Sequence, residues 1–178
     1  MHTSNQNSVE DNLSPVIFIA GPTAIGKTDL ALSLCEHMPA EIVSVDSVQV
    51  YRQLNIGSAK PSVDILRRIP HWLIDIMDPA EPYSVAKFLT DAYCAIQEIT
   101  GRGKVPLLVG GSMMYFNALL NGLSKLSAAN SAVRKNLEQQ IESEGADQLY
   151  AELERVDAET ARMLHPNQRQ RILRALEV

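Results

Sequence analysis

Short apolar runs alternate with longer stretches of helical period over the first two thirds of the chain. Residues 16–20 (Val16, Ile17, Phe18, Ile19, Ala20) form an unbroken apolar run of strand length. Residues 41–45, 72–76 and 105–109 read as a second, third and fourth strand, the last ending at Gly110 and Gly111. After the first run, Leu30, Leu32, Leu34 and Met38 mark a helix without an internal breaker. Between the third and fourth strands, Val85, Phe88, Leu89, Ala92, Ala95, Ile96 and Ile99 recur at helical spacing, with Ser84 as N-cap and Gly101 as stop. Alternation of this kind predicts a parallel sheet covered on both faces, a three-layer α/β fold. Ligands of such sheets bind beyond the carboxyl ends of the strands, so the segment after the first strand, Asp46, Asp78 and Gly110 are expected around one crevice.

The pattern changes after Leu123. Residues 131–178 contain no strand-like run and are charged and Leu-punctuated. Val133, Leu137, Ile141, then Leu149, Leu153, Val156, then Met163 and Leu164 predict successive amphipathic helices, with joints at Gly145 and at Pro166-Asn167. The organisation expected is a polar disordered leader over 1–14, an α/β core over 15–123 and a helical segment over 124–178.

Composition narrows the classes. A chain of 178 residues that is 46% hydrophobic can bury a sizeable core. A formal net charge of −5 argues against coating nucleic acid by bulk charge, though not against a local basic groove. Cys35 and Cys94 both fall in apolar helical patterns and read as two buried thiols. No apolar run approaches membrane-spanning length, and a cytoplasmic protein without membrane association is expected.

Candidate chemistry begins with Gly21-Pro22-Thr23-Ala24-Ile25-Gly26-Lys27-Thr28, which satisfies GxxxxGK[ST] in the required strand–loop–helix context. Gly21 and Gly26 let successive N–H groups turn toward an anion, reinforced by the dipole of the following helix. Lys27 adds a mobile charge for the outermost phosphate, and Thr28 a hydroxyl for Mg2+. The loop predicts a polyphosphate site. Asp46, at the end of the second strand, reads either as a general base facing those phosphates or as the N-cap of a helix over 47–52. Ser47 and Gln49 beside it carry groups suited to a nucleobase edge or to an ordinary solvated loop. Gly110-Gly111-Ser112 is a second turn where a ligand can approach the backbone, with Ser112 also a cap for a helix over 113–121. His71, beside the third strand, reads as a hydrogen-bonded structural residue.

A late charge pattern stands out against the acidic whole. Arg162, Arg169, Arg171 and Arg174 lie between Ala161 and Leu176 with no acidic residue among them. Arg171 and Arg174 share a helix face next to Gln170, an arrangement that can grip phosphates or remain a solvated basic face. Arg134, at the start of the helical segment, has a guanidinium able to reach a pyrophosphate.

Together these residues resemble the tRNA dimethylallyltransferase family. Beyond the phosphate loop, the resemblance rests on Asp46-Ser47-x-Gln49-Val50-Tyr51-Arg52, Asn55-Ile56-Gly57-Ser58-Ala59-Lys60-Pro61 and Pro70-His71-Trp72-Leu73-Ile74-Asp75. It continues through Leu107-Leu108-Val109-Gly110-Gly111-Ser112-Met113-Met114-Tyr115, His165-Pro166-Asn167 and Gln170-Arg171-x-x-Arg174-Ala175-Leu176-Glu177-Val178. The resemblance implies a P-loop NTPase-like fold acting as a monomer. It also implies transfer of a dimethylallyl group from dimethylallyl diphosphate to the exocyclic amine of the adenine beside the tRNA anticodon. Asp46 matches the family's catalytic aspartate, with Thr23, Lys27, Thr28 and Mg2+ stabilising the departing pyrophosphate. Residues 21–28 and Arg134 match diphosphate-binding positions. Asp46, Ser47, Val48, Gln49, Ser112, Arg134, Gln170, Arg171, Ile172, Leu173 and Arg174 match tRNA-contacting positions on the anticodon stem-loop.

Departures from that pattern are Ile25, where a small serine is usual and a branched side chain now stands near the phosphates, and Trp72, where a second histidine is common. Ser112 replaces a usual threonine. Lys125, Ser127, Asn130 and Ser131 occupy a connection that the family makes richer in proline. Family members also continue well past Val178. The competing expectations are an adenylate isopentenyltransferase using a free nucleotide, and a phosphate-binding module without turnover. The Gln170–Arg174 face favours tRNA over a small nucleotide.

Overall fold

The computed structural model describes residues 15–123 and 130–178. Contacts divide the chain into two compact units, the boundary falling between Leu123 and Ser124. The expected leader over 1–14, and Lys125 and Ser127, lie outside the described residues.

The first unit carries four parallel strands in the order β1-β4-β2-β3: β1 (Ile17–Ala20), β2 (Ala40–Val45), β3 (His71–Trp72) and β4 (Val105–Gly110). Its helices are α1 (Lys27–His37), α2 (Val63–Arg68), α3 (Val85–Gly101) and α4 (Met113–Asn121). Side chains of successive strand residues point to opposite faces, and the two cores follow that rule. Ile42 and Leu107 pack with Ala31 of α1 on one face. Val43, Val45 and Leu108 pack with Phe88, Ala92 and Ile99 of α3 and with Tyr115 and Phe116 of α4 on the other. The three-layer, P-loop NTPase-like α/β fold expected from the sequence is present. α2 was not anticipated; it is six residues long, capped by Ser62, whose Oγ accepts from the Ile65 N–H.

The third strand is shorter than its apolar run. It ends at Trp72 because Leu73 (φ 62°) and Asp75 (φ 56°) adopt left-handed backbone. Residues 75–77 pair instead with the segment after β2: the N–H of Asp75 donates to Gln49 O, and those of Ile76 and Met77 to Val50 O. Asp78 therefore lies beyond this detour rather than at a strand end, and its Oδ1 accepts from the Ala80 N–H in a turn. Gly101 does not stop α3 but belongs to it, and the chain turns at Gly103 (φ 70°). Ser84 caps the other end, accepting from the Lys87 N–H.

The amino end of β2, away from the strands' carboxyl ends, is fastened by a buried charge. Glu41, 3% exposed, accepts from Arg102 Nη2 (2.7 Å), Lys104 Nζ (2.9 Å) and Trp72 Nε1 (2.8 Å). Burial alone raises a carboxyl pKa, but these hydrogen bonds and cations hold Glu41 below its ordinary range. Trp72 thus has its own partner, with Arg102 stacked 5.4 Å from the ring centroid. Of the two thiols expected to be buried, Cys35 is half-buried and Cys94 exposed, because Cys94 falls on the outer face of α3.

The second unit comprises α5 (Ser131–Glu144), α6 (Ala146–Val156), α7 (Ala158–Met163) and α8 (Arg169–Glu177). Ile141, Leu149, Leu153, Ala161, Ile172 and Leu173 form its core. Asn130 caps α5 through Oδ1, and Gly145 (φ 91°) makes the turn into α6. A joint at Asp157, unforeseen from the sequence, separates α6 from α7; its Oδ1 accepts from the Thr160 N–H.

Candidate active site

Three strand ends converge in the first unit. β4 lies between β1 and β2, so the turn after β4 separates the loop after β1 from the turn after β2. Gly110 makes this convergence possible. A Cβ on it would sit 2.0 Å from the Val45 carbonyl oxygen, so only glycine lets β4 finish against β2. The sequence suggested that this glycine admits a ligand; the missing Cβ also admits the neighbouring strand. The Gly110 carbonyl accepts from the Gly21 N–H (3.4 Å), and the Val45 carbonyl from the Ser112 N–H (3.2 Å).

The loop after β1 turns through Ala24 (φ 65°) and Gly26 (φ 93°), and α1 begins at Lys27. A helix N-terminus with free amides results, the arrangement that suits an anion. Lys27 Nζ folds back and donates to Pro22 O (2.6 Å). Thr23, Lys27 and Thr28 border a cleft of about 280 Å³ that also reaches Asp46, Gly110 and Gly111. Ile25, 66% exposed, is not among the residues that border it.

Asp46 combines the two roles that its sequence context left open, although residues 47–52 form turns and not a helix. Its Oδ1 accepts from the Val48 N–H (2.8 Å) and the Gln49 N–H (3.2 Å), fixing the turn. Its Oδ2 has no hydrogen-bond partner among the described residues, and the side chain borders the cleft. Ser112 stands at the N-cap position of α4 but makes no side-chain cap. Instead its Oγ accepts from the Ser47 N–H (3.2 Å).

Gln49 is occupied at both ends of its amide. Oε1 accepts from Ser44 Oγ (2.9 Å), and Nε2 donates to Ser58 O (3.3 Å) and Ala59 O (3.0 Å). These bonds tie the Asp46 turn to residues 58–59 rather than leaving the amide for a base. Ser47 and Val48 are exposed beside it.

Sequence reasoning gave no role to Lys60 or Tyr115. Lys60, its side chain 5% exposed, donates to Asp75 Oδ1 (2.6 Å), Asn55 Oδ1 (3.3 Å) and the Tyr51 carbonyl, pinning the segment that Gln49 grips. Tyr115 stacks on Phe88 at 4.2 Å, and its hydroxyl pKa is pushed up by burial and by the nearby Tyr51 and Asp46. The only signal for Tyr115 was an aromatic residue three positions after Ser112. His71 also borders the cleft. Its Nδ1 lies 2.8 Å from Ile69 O, so Nδ1 carries the proton and Nε2 is an acceptor, buried and without a partner among the described residues. Burial pushes the imidazole pKa down, opposed by the bond to Ile69.

In the helical unit, Arg134 is held within the fold. Its Nε donates to Glu138 Oε1 (3.2 Å), Nη1 to Glu177 Oε1 (3.3 Å) and Nη2 to Gln170 Oε1 (2.6 Å). Glu177 Oε2 accepts from Arg174 Nη1 (3.2 Å). Arg171 and Gln170 are exposed. Ile172 and Leu173, 2% and 1% exposed, belong to the core, so their side chains are not on the surface the resemblance assigns to RNA.

No cluster of three or more His, Cys, Asp or Glu suited to a metal occurs among the described residues. The oxygen chemistry beside the loop still fits Mg2+, which keeps several waters and takes most other ligands from a substrate's phosphates. No helix among the described residues is long and apolar enough to cross a membrane.

The sequence model of the IPP transferase family matches residues 49–178. Three solved structures are similar over most of the chain. A tRNA isopentenylpyrophosphate transferase from Bacillus halodurans is 40% identical, with 92% of this chain and 55% of that one covered at a TM-score of 0.60. A eukaryotic dimethylallyltransferase acting on tRNA is 33% identical, with 91% and 40% covered at a TM-score of 0.76. A tRNA delta(2)-isopentenylpyrophosphate transferase from Staphylococcus epidermidis is 36% identical, with 91% and 53% covered at 0.55. The chain thus spans about half the length of the two bacterial relatives and two fifths of the eukaryotic one.

Proposed function

The chain belongs to the IPP transferase family, and on that footing we propose that it prenylates tRNA. The reaction is transfer of a dimethylallyl group from dimethylallyl diphosphate to the exocyclic amine of the adenine beside the anticodon. The observation that carries this reading is Asp46: one carboxylate oxygen is spent on its turn, the other has no hydrogen-bond partner among the described residues, and the side chain borders the cleft that also reaches the phosphate loop.

The chemistry follows from those positions. The amides of residues 21–28 and the Lys27 ammonium bind the diphosphate; Lys27 exchanges Pro22 O for a phosphate oxygen. The adenine amine attacks the allylic carbon as the carbon–oxygen bond to the diphosphate breaks. The proton lost from nitrogen passes to Asp46 Oδ2, and the electron pair of the broken bond leaves with pyrophosphate. Thr23, Lys27 and the loop amides meet the negative charge that grows on it. The Thr28 hydroxyl would hold Mg2+ together with diphosphate oxygens, and the ion when bound supplies further neutralisation of that charge. An adenine amine is buried in the anticodon stack, so the base has to be turned out to reach Asp46. Arg171, Arg174 and Gln170 supply the RNA-binding face of α8. The proposed unit is a monomer working in the cytoplasm.

The test is incubation of the chain with labelled dimethylallyl diphosphate and three acceptors: anticodon stem-loop RNA, the same RNA lacking the acceptor adenine, and free adenylate. Label on the first alone is expected. Label on adenylate would give the free-nucleotide enzyme, and diphosphate binding without label on any acceptor would leave a binding module.

A further inference from the structure

Gln170 lies in the first turn of α8, exposed, with its side-chain oxygen 2.6 Å from Arg134 Nη2. A guanidinium only donates, so the amide orientation is determined: the oxygen faces Arg134 and the NH2 group faces away. Arg134 cannot easily release it. Its other nitrogens are held by Glu138 and by Glu177, whose side chain is fully buried and also engages Arg174. Ile172 and Leu173 anchor α8 in the core of the unit, which holds the helix backbone that carries Gln170 in place.

A glutamine normally reads adenine with both ends of its amide, accepting from the exocyclic amine and donating to the ring nitrogen. Here one lone pair of the accepting end already takes a cationic donor, so a base amine on the other would be a second donor crowded beside a guanidinium, while the NH2 group is turned outward. We infer that Gln170 meets RNA as a donor and selects a base acceptor, a carbonyl oxygen or unprotonated ring nitrogen, against an exocyclic amine. Arg134 is then a positioning residue that acts on specificity through Gln170. This rests on the RNA-binding reading of α8 given above.

The test uses the full chain and anticodon stem-loop RNAs altered one group at a time. Base acceptors are removed with 7-deazapurines or pyrimidin-2-one, base amines with purine or inosine, and backbone charges with methylphosphonates. Gln170→Met should weaken binding of the unaltered RNA about three- to tenfold, the range of one neutral hydrogen bond. That loss should vanish with a single acceptor-deleted RNA and persist with every amine-deleted one. Arg134→Met, which frees the oxygen, should reduce the discrimination at that nucleotide more than it reduces overall affinity. Loss of the Gln170 effect with an amine-deleted RNA, or with a methylphosphonate, would overturn the inference, as would additivity throughout. Failure of the wild-type chain to bind the unaltered stem-loop would instead refute the RNA reading itself, and this inference with it.

Discussion

The Oγ of Ser112 accepts a hydrogen bond from the backbone N–H of Ser47 at 3.2 Å, joining turns 65 residues apart in the chain. One turn follows β4 and the other carries Asp46, so the hydroxyl that a local reading assigns to capping α4 braces the proposed base instead. Ser112→Ala removes one neutral hydrogen bond, worth about 1 kcal/mol. Prenyl transfer should fall roughly fivefold with diphosphate affinity unchanged, and Ser112→Thr should restore it. Equal rates for the alanine and threonine variants would deny Ser112 this role.

Asp46→Asn separates the two functions of that carboxylate. The asparagine oxygen can still accept from Val48 and Gln49, while the group can no longer take a proton. Diphosphate affinity and thermal stability should match wild type, and transfer should drop by about two to four orders of magnitude. Retained turnover in single-turnover assays would leave Asp46 as a turn residue only.

Lys27→Ala removes a mobile cation whose contact in this structure is the Pro22 carbonyl. Calorimetry with dimethylallyl diphosphate should show affinity lower by at least about tenfold, the loss of a charged hydrogen bond, with the fold intact. Unchanged affinity on folded protein would remove the phosphate-site assignment.

Gly110→Ala should act on the fold rather than on one ligand. Its Cβ would meet Val45 O at 2.0 Å, and the contact is with backbone, which cannot swing aside. Urea denaturation should show a destabilisation of roughly 2–4 kcal/mol, as expected when two strands are forced apart. A stability equal to wild type would show that the strand ends have room to separate.

Acid sensitivity should involve His71. Its folded pKa lies below the ordinary value of 6.5 because burial disfavours the cation, and the unfolded chain therefore binds the proton first. Stability is complete above that value and falls as pH drops through it toward the folded pKa. Glu41, also depressed, adds a further loss only near and below 4.5. Denaturation midpoints at pH 7.5 and 5.5 should differ for wild type and differ less for His71→Gln. An identical pH dependence in both would place the acid-sensitive group elsewhere.

Local sequence determined a good deal of this protein. The phosphate loop, β1, β2 and β4, the cap and apolar face of α3, and the helices after Asn130 were legible because each depends on neighbours within a few residues: periodicity, glycine at a left-handed turn, a side chain capping its own helix. Tertiary structure decided the rest, through partners distant in sequence. β3 stops at Trp72 because residues 75–77 bond to residues 49–50, an alternative that the apolar run does not reveal. Gln49 offers an amide in the sequence, yet Ser44, Ser58 and Ala59 consume it. Gly110 reads as a ligand-approach glycine, and only the fold shows that Val45 O also needs the space where its Cβ would be. Arg171 and Arg174 read as one basic face; the fold shows that Glu177 braces Arg174 and that Arg134, 36 residues before Gln170, holds the Gln170 oxygen. Residue types announce which hydrogen bonds are possible, but buried donors and acceptors must all be matched at once, and only the folded chain shows which possibilities are already used.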